Sequence, residues 1–133
     1  MRWSLSSLAD ELLHRRDTNI DLENNSDLLI VRMNDFGDLP LSIFITSRQI
    51  IIETYICSVN DIKHQADFNL FLLRHQKILP LSSVGISLIN HDEYYVAFGA
   101  LSMSSSPDDI ILEMTTLAEN ALDLAELTQE FMN

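Results

Sequence analysis

Cys57 and His64 form the one cysteine–histidine combination close enough in sequence to consider for nucleophilic catalysis. Such a pair must sit at hydrogen-bond reach, with a third group orienting the imidazole. Cys57 ends a β-branched run and His64 falls in the helix expected after it, so the spacing allows an approach without specifying one. Cysteine commonly serves as a small buried hydrophobe, and that is the reading preferred here. His64 and His75 are eleven residues apart on one helical face, about three turns or roughly 16 Å, too far to share a metal within one chain. They read as surface or interface histidines. His91-Asp92-Glu93 has ligand-type side chains but also the make-up of a polar turn, and His14 beside Arg15 and Arg16 gives a cationic helix end.

The carboxylates gather on one helix face rather than as a cleft pair with one shifted pKa. Ser82-Ser83 and the serines from Ser102 to Ser106 lack the glycine framing of a nucleophile elbow, and the three glycines make no phosphate loop or dinucleotide fingerprint. The expectation is therefore no catalytic residue, no metal and no cofactor.

Charge says more. The 133 residues carry a net charge of −12. Through Lys77, eight bases against eleven acids leave −3; beyond it lie nine acids and no base, a net of −9. This balance repels phosphate backbones and anionic leaflets, which disfavours nucleic-acid binding and direct membrane docking. It suits either a solvated acidic surface or attraction to a basic partner segment. Cys57 is the sole cysteine, so an intrachain disulfide is impossible, in keeping with a cytoplasmic location. Asp10 and Glu11 interrupt the leucines at the start, and no apolar run approaches the roughly 20 residues of a membrane span.

The length suits a single domain over 1–133. Leu5, Leu8, Ala9, Leu12 and Leu13 have the spacing of a one-faced helix, with Ser4 or Ser6 as its cap. Arg15 to Asp27 reads as a connector, Leu28 to Met33 as a strand, and Leu39, Leu41, Ile43 and Ile45 as a second strand with Pro40 at its start or on an edge. Ile50 to Cys57 is the strongest strand signal. Val84, Ile86 and Leu88 alternate, and Tyr94, Val96, Phe98 and Ala100 form the bulky face of a partner strand whose other face includes Ala97 and Gly99. A helix or second subunit could press closely on that small-residue face. Ser106-Pro107-Asp108-Asp109 starts a last helix, with Ile110, Met114, Leu117, Ala121 and Leu124 inward and Leu122 widening the stripe. Glu119, Asp123, Glu126 and Glu130 lie on its acidic face, Glu113 at the border, and Leu112 and Leu127 interrupt that face as exposed residues.

The stretch Asn60 to Lys77 is apolar on two opposite sides of an expected helix. Val59, Ile62, Ala66, Leu70 and Leu73 share one arc, the expected core side; Phe68, Phe71 and Leu72 share the other, beside His64 and His75. One core needs one stripe. The second is either buried between the sheet and another helix or, the reading preferred here, a homodimer interface of Phe68, Phe71, Leu72, His64 and His75.

The sum is an α+β order, α-β-β-β-α-β-β-α, with a mostly antiparallel sheet and helices packed on it. That order resembles the class I type III secretion chaperones and YbjN-like proteins, in which homodimers form and, in the chaperones, a central helix joins the dimer contact. Leu79-Pro80-Leu81-Ser82-Ser83-Val84-Gly85-Ile86 and Phe98-Gly99-Ala100-Leu101-Ser102 resemble, across the whole chain, the YjfI-like family of small uncharacterised bacterial proteins. The resemblance implies no set activity. Members are often encoded beside a phage-shock-protein-A-like coiled-coil protein of envelope stress, which implies a candidate partner. The expectation is a non-enzymatic, homodimeric interaction module, an adaptor or chaperone. It would meet a basic or amphipathic segment through Leu112, Leu127, Glu119, Asp123, Glu126 and Glu130. Regulation of the stress coiled coil is the alternative, with a small-molecule binding domain or enzyme last.

Overall fold

Alternating apolar residues pair across a six-stranded antiparallel sheet in the computed structural model, which describes residues 2–132. The strands are β1 (Ile20–Asn24), β2 (Leu29–Met33), β3 (Leu39–Ile45), β4 (Gln49–Ser58), β5 (Ser83–Ile89) and β6 (Asp92–Ser102), in spatial order β1-β2-β3-β4-β6-β5. The helices are α1 (Leu5–His14), α2 (Gln65–His75) and α3 (Pro107–Thr128). The expected α+β class and order hold, with one short strand added at the front. That strand, β1, occupies part of the stretch read as a connector.

Register explains which side chains are inside. Val31 faces Leu41, Leu29 faces Ile43, and Ile43 faces Ile52, and all five residues are buried. Ile52 in turn lies opposite Gly99, and Thr54 opposite Ala97. This one face receives Leu8 and Leu12 of α1, Phe68 and Leu72 of α2, and Ile110, Met114, Leu117 and Ala118 of α3 in a single core. Burying a Leu- or Phe-sized side chain contributes about 1.5–3 kcal/mol, so these contacts dominate the fold. The small residues Ala97 and Gly99 admit α3 closely, as their pattern suggested.

The ends of α1 and α3 are chemically specified. Ser4 caps α1, with the Ser4 and Ser7 side chains each accepting from the other's backbone N–H. Ser106 accepts from the Asp109 N–H, with Pro107 in the first turn of α3. Arg15, just past the C-terminal end of α1, ties that end to the start of α3 by bridging Asp17 and Asp108 at 2.9 Å each. Trp3 fastens the chain start to the β6–α3 connection by donating its indole N–H to the Ser105 carbonyl.

The central segment departs from the single helix expected. A 3-10 turn at Val59–Asp61 comes first, capped by Ser58. Ile62 is then drawn out into a bridge with Met132, and the Lys63 N–H donates to the Phe131 carbonyl. Only at Gln65 does α2 begin, and a second 3-10 turn follows it at Gln76–Ile78. This late start resets the helical phase. Phe68 (1% exposed) and Leu72 (8%) point into the core, whereas Ala66, Leu70 and Leu73 are exposed. The expected assignment of faces is therefore reversed from Ala66 onward. The Phe68 ring packs edge-on against Tyr95, with centroids 4.9 Å apart, and both Phe68 and Phe71 lie against Phe131 from the chain's own C-terminal turn. The stripe expected to seek a second subunit finds its partner within the protomer.

Candidate interaction surfaces

The end of α2 lies beside β5, the outer strand on one side of the sheet. There the Gln76 side-chain amide both accepts from the Val84 N–H (3.1 Å) and donates to the Val84 carbonyl (3.2 Å). Both backbone groups of Val84 thus face away from β6. Backbone direction alternates along an antiparallel strand, so the N–H and C=O groups of Ile86 and Leu88 also point out from the sheet edge. A cavity of about 300 Å³ opens beside them, lined by Leu72, Leu73, Gln76, Val84, Ile86 and Tyr95 among others. The Tyr95 hydroxyl donates to Asn69 at its wall.

Around that edge the surface is apolar. Leu70, Leu73, Ile78, Leu81, Ile86 and Leu88 are all exposed, Leu73, Ile78 and Leu88 by 70% or more. The chain between α2 and β5 is held firmly for a loop. The amide of Asn120, buried on α3, donates to both the Pro80 carbonyl and the Ser82 hydroxyl at 2.9 Å. Between those two anchors Leu81 adopts a left-handed φ of 62°, a conformation costly for a branched residue.

A second surface is the sheet face opposite the helices. Phe44, Ile51 and Phe98 are partly exposed there, and none joins the core on the helical side. Tyr55 and Tyr94 pair their rings on this face at 5.8 Å. Glu53 sits among them, opposite Ser42 on one side and Phe98 on the other, and partial burial raises its carboxyl pKa.

The third surface is the outer face of α3. Leu112, Glu119, Asp123 and Glu126 are exposed and fall at positions 0, 7, 11 and 14 of one helical stripe, which Glu130 extends into the turn at Gln129–Phe131. None of these four acids forms an ion pair among the described residues. Three positions correct the expected map of α3. Leu127 is half-buried against the core instead of exposed, and Leu122, expected inward, is 44% exposed. Glu113, expected at the border, is buried over Gly99, and desolvation raises its carboxyl pKa.

The proposed dimer residues separate accordingly. Phe68 and Leu72 belong to the protomer core, Phe71 is half-covered by Phe131, and only His64 and His75 stand exposed. His75 stacks on Phe71 with ring centroids 4.2 Å apart, and its Nδ1 lies 2.7 Å from the Phe71 carbonyl. Cys57 is half-buried in β4, where desolvation, followed by the nearby Asp61, pushes its thiol pKa up. That direction opposes the thiolate a nucleophile requires. Among the described residues, no three His, Cys, Asp or Glu side chains are arranged to hold a metal. No helix among the described residues is long and apolar enough to cross a membrane.

Gln76 and the sheet face carrying Phe44, Ile51 and Phe98 are the features sequence reasoning missed. A signal for the second existed. The unbroken Ile50-Ile51-Ile52 run is apolar on both sides of β4, as strands covered on both faces are.

Two comparisons place the chain among known sequences. Residues 2–132 match the family model DUF2170, described as an uncharacterized protein conserved in bacteria. The chain is also 54% identical, over 131 residues and 98% of both chains, to the uncharacterized protein YjfI of Escherichia coli strain K12. The same identity and coverage hold for its counterpart in Escherichia coli O157:H7.

Proposed function

The chain belongs to the DUF2170 family, and from that premise we propose that it is a homodimeric protein–protein adaptor of the cytoplasm, working by binding rather than by turnover. The carrying observation is the apolar rim of α2 and β5, where Leu70, Leu73, Ile78, Leu81, Ile86 and Leu88 remain uncovered by the protomer's own elements. An exposed apolar cluster beside an open strand edge is an interaction feature and an association liability unless something covers it. Isologous pairing covers it with the same surface of a second copy. Dimerisation thus moves from the phenylalanine side of α2 to the leucine side.

The outer stripe of α3 then serves the partner. Leu112 is an apolar contact ahead of Glu119, Asp123, Glu126 and Glu130, a layout that complements a basic amphipathic helix. Such a helix is what a phage-shock-protein-A-like coiled coil would have to supply, and regulation of such a protein is the second reading. It draws on the unpaired acids of that stripe.

Sedimentation equilibrium tests assembly: a dimer is expected at micromolar concentration, and a monomer up to the highest soluble concentration overturns it. For partner choice, capture from the native cell should enrich the same protein with the wild type and lose it with Glu119→Lys/Asp123→Lys/Glu126→Lys. Equal recovery by both would remove α3 from the interaction.

A further inference from the structure

Which part of the apolar rim lies at the dimer axis follows from the β5 edge. Val84, Ile86 and Leu88 all turn their backbone groups outward, yet Gln76 already holds both groups of Val84. Two open positions remain, Ile86 and Leu88. An antiparallel strand laid on this edge forms paired bonds only where outward-facing residues meet. With a second copy of β5, four registers satisfy that geometry near the strand centre. Gly85 against itself needs Val84 in both central pairs and is blocked by Gln76. Ile86 against itself uses one open position and would require Val84 for the next pair, which Gln76 blocks. Leu88 against itself runs Ile86 onto Asn90, a left-handed turn residue with φ 49°. Ser87 against itself places Ile86 opposite Leu88 twice over, and uses every open group.

We propose that two copies of this chain join through antiparallel β5 strands with Ser87 opposite Ser87, making one continuous sheet across the dimer. This rests on the dimeric reading above and assigns its geometry. Charge supports a second copy as the occupant. Antiparallel pairing sets the Val84 end of one strand beside the Asn90–His91 turn of the other. At the first end lie Arg74 and Lys77, next to the Gln76 that grips Val84; at the second, Asp92 and Glu93 open β6. Each copy therefore offers a basic end and an acidic end in the order the twofold requires, although the chain as a whole carries −12. Side chains agree as well. Ile86 and Leu88 project to the helical face of the sheet, where exposed Leu73 of each copy flanks them.

A cysteine scan tests the register. In a Cys57→Ala background, Ser87→Cys should form an interchain disulfide under mild oxidation, because directly opposed residues of this pair type have Cα atoms about 4.5 Å apart. Ser83→Cys, on the same strand, would sit roughly 26 Å from its counterpart and should not link. Lys77→Glu should weaken the dimer about two- to fivefold, and adding Glu93→Lys should recover it. A monomeric wild type would overturn both this pairing and the dimeric reading. A dimeric wild type in which Ser87→Cys links no faster than Ser83→Cys overturns the strand pairing alone, leaving the dimer to another surface.

Discussion

The carboxyl group of Glu113 on α3 occupies the space over Gly99 of β6 that a β-carbon would fill. Glycine at this position is thus a matter of room, not of backbone angle. Helix and sheet approach closely here, and an acidic side chain fills the contact with its charge partly desolvated.

Gly99→Ala should therefore destabilise the fold by about 1–3 kcal/mol through overpacking. A fall in the urea midpoint measures it. Adding Glu113→Ala should recover part of the loss, giving a coupling energy that distant residues would lack. Strict additivity of the two changes would mean that the carboxyl group does not occupy that space.

The same contact gives a pH dependence with a definite sign. Burial raises the Glu113 pKa in the folded protein, so folding favours its protonated form. Its contribution is fully present below the unfolded-state pKa and is lost as pH rises through the folded-state value. Glu113→Gln, which removes the charge, should raise the melting temperature at pH 7, and the advantage should disappear by about pH 4. An equal gain at both values would attribute it to something other than ionisation.

The two sides of α2 should respond oppositely to substitution. Phe68→Ala removes a core ring packed on Tyr95 and Phe131 and should cost about 3–5 kcal/mol. Leu73→Asp changes a side chain that is 71% exposed and should alter protomer stability by no more than about 0.5 kcal/mol while converting dimer to monomer. Denaturation and sedimentation on the same samples separate the effects; a Leu73→Asp protein that stays dimeric would clear that face of any role.

Asn120 should prove costly to replace. Its amide serves both Pro80 and Ser82, and Asn120→Ala leaves those acceptors with no replacement donor at a part-buried site, a loss of about 1–3 kcal/mol. Amide hydrogen exchange should quicken at Val84 and Gln76 as the entry to β5 loosens. Unchanged protection there would show that Asn120 does not anchor the edge.

Acids at the C-terminal end of α3 oppose its dipole. Glu126→Lys should stabilise the chain by about 0.3–1 kcal/mol, read from the thermal midpoint at low salt. A gain in stability accompanied by lost partner capture is the pattern expected of a residue kept for binding.

Much of this architecture can be read from residue order, and the exceptions have physical reasons. β4 announces itself through Ile50, Ile51 and Ile52, and α3 through Ser106-Pro107-Asp108-Asp109. β1 is hidden because an outermost strand needs few apolar residues: Ile20 and Leu22 turn inward, while Asp21 and Glu23 leave it looking like a polar connector. The two stripes of α2 cannot be ranked by periodicity. Their ranking is set by Ile62 bridging to Met132 and by Phe131 covering Phe68 and Phe71, contacts between segments 60 to 70 positions apart. Gln76 is likewise silent in sequence, since its role depends on the strand it happens to meet.

The strand order β1-β2-β3-β4-β6-β5 also dictates a sequence of assembly during synthesis. Every neighbouring pair except β4–β6 is a hairpin, closed over a short connection and able to form early. The β4–β6 pairing, which runs from Gln49 opposite Ser102 to Ser58 opposite Tyr94, must wait until β6 is made. The α3 residues that complete the core emerge later still. A nascent chain halted before α3 would hold its Ile43 and Ile52 layer open on the side that helix covers. Such a chain would leave an apolar sheet face in water, so truncation ahead of Pro107 should abolish the fold rather than shorten it.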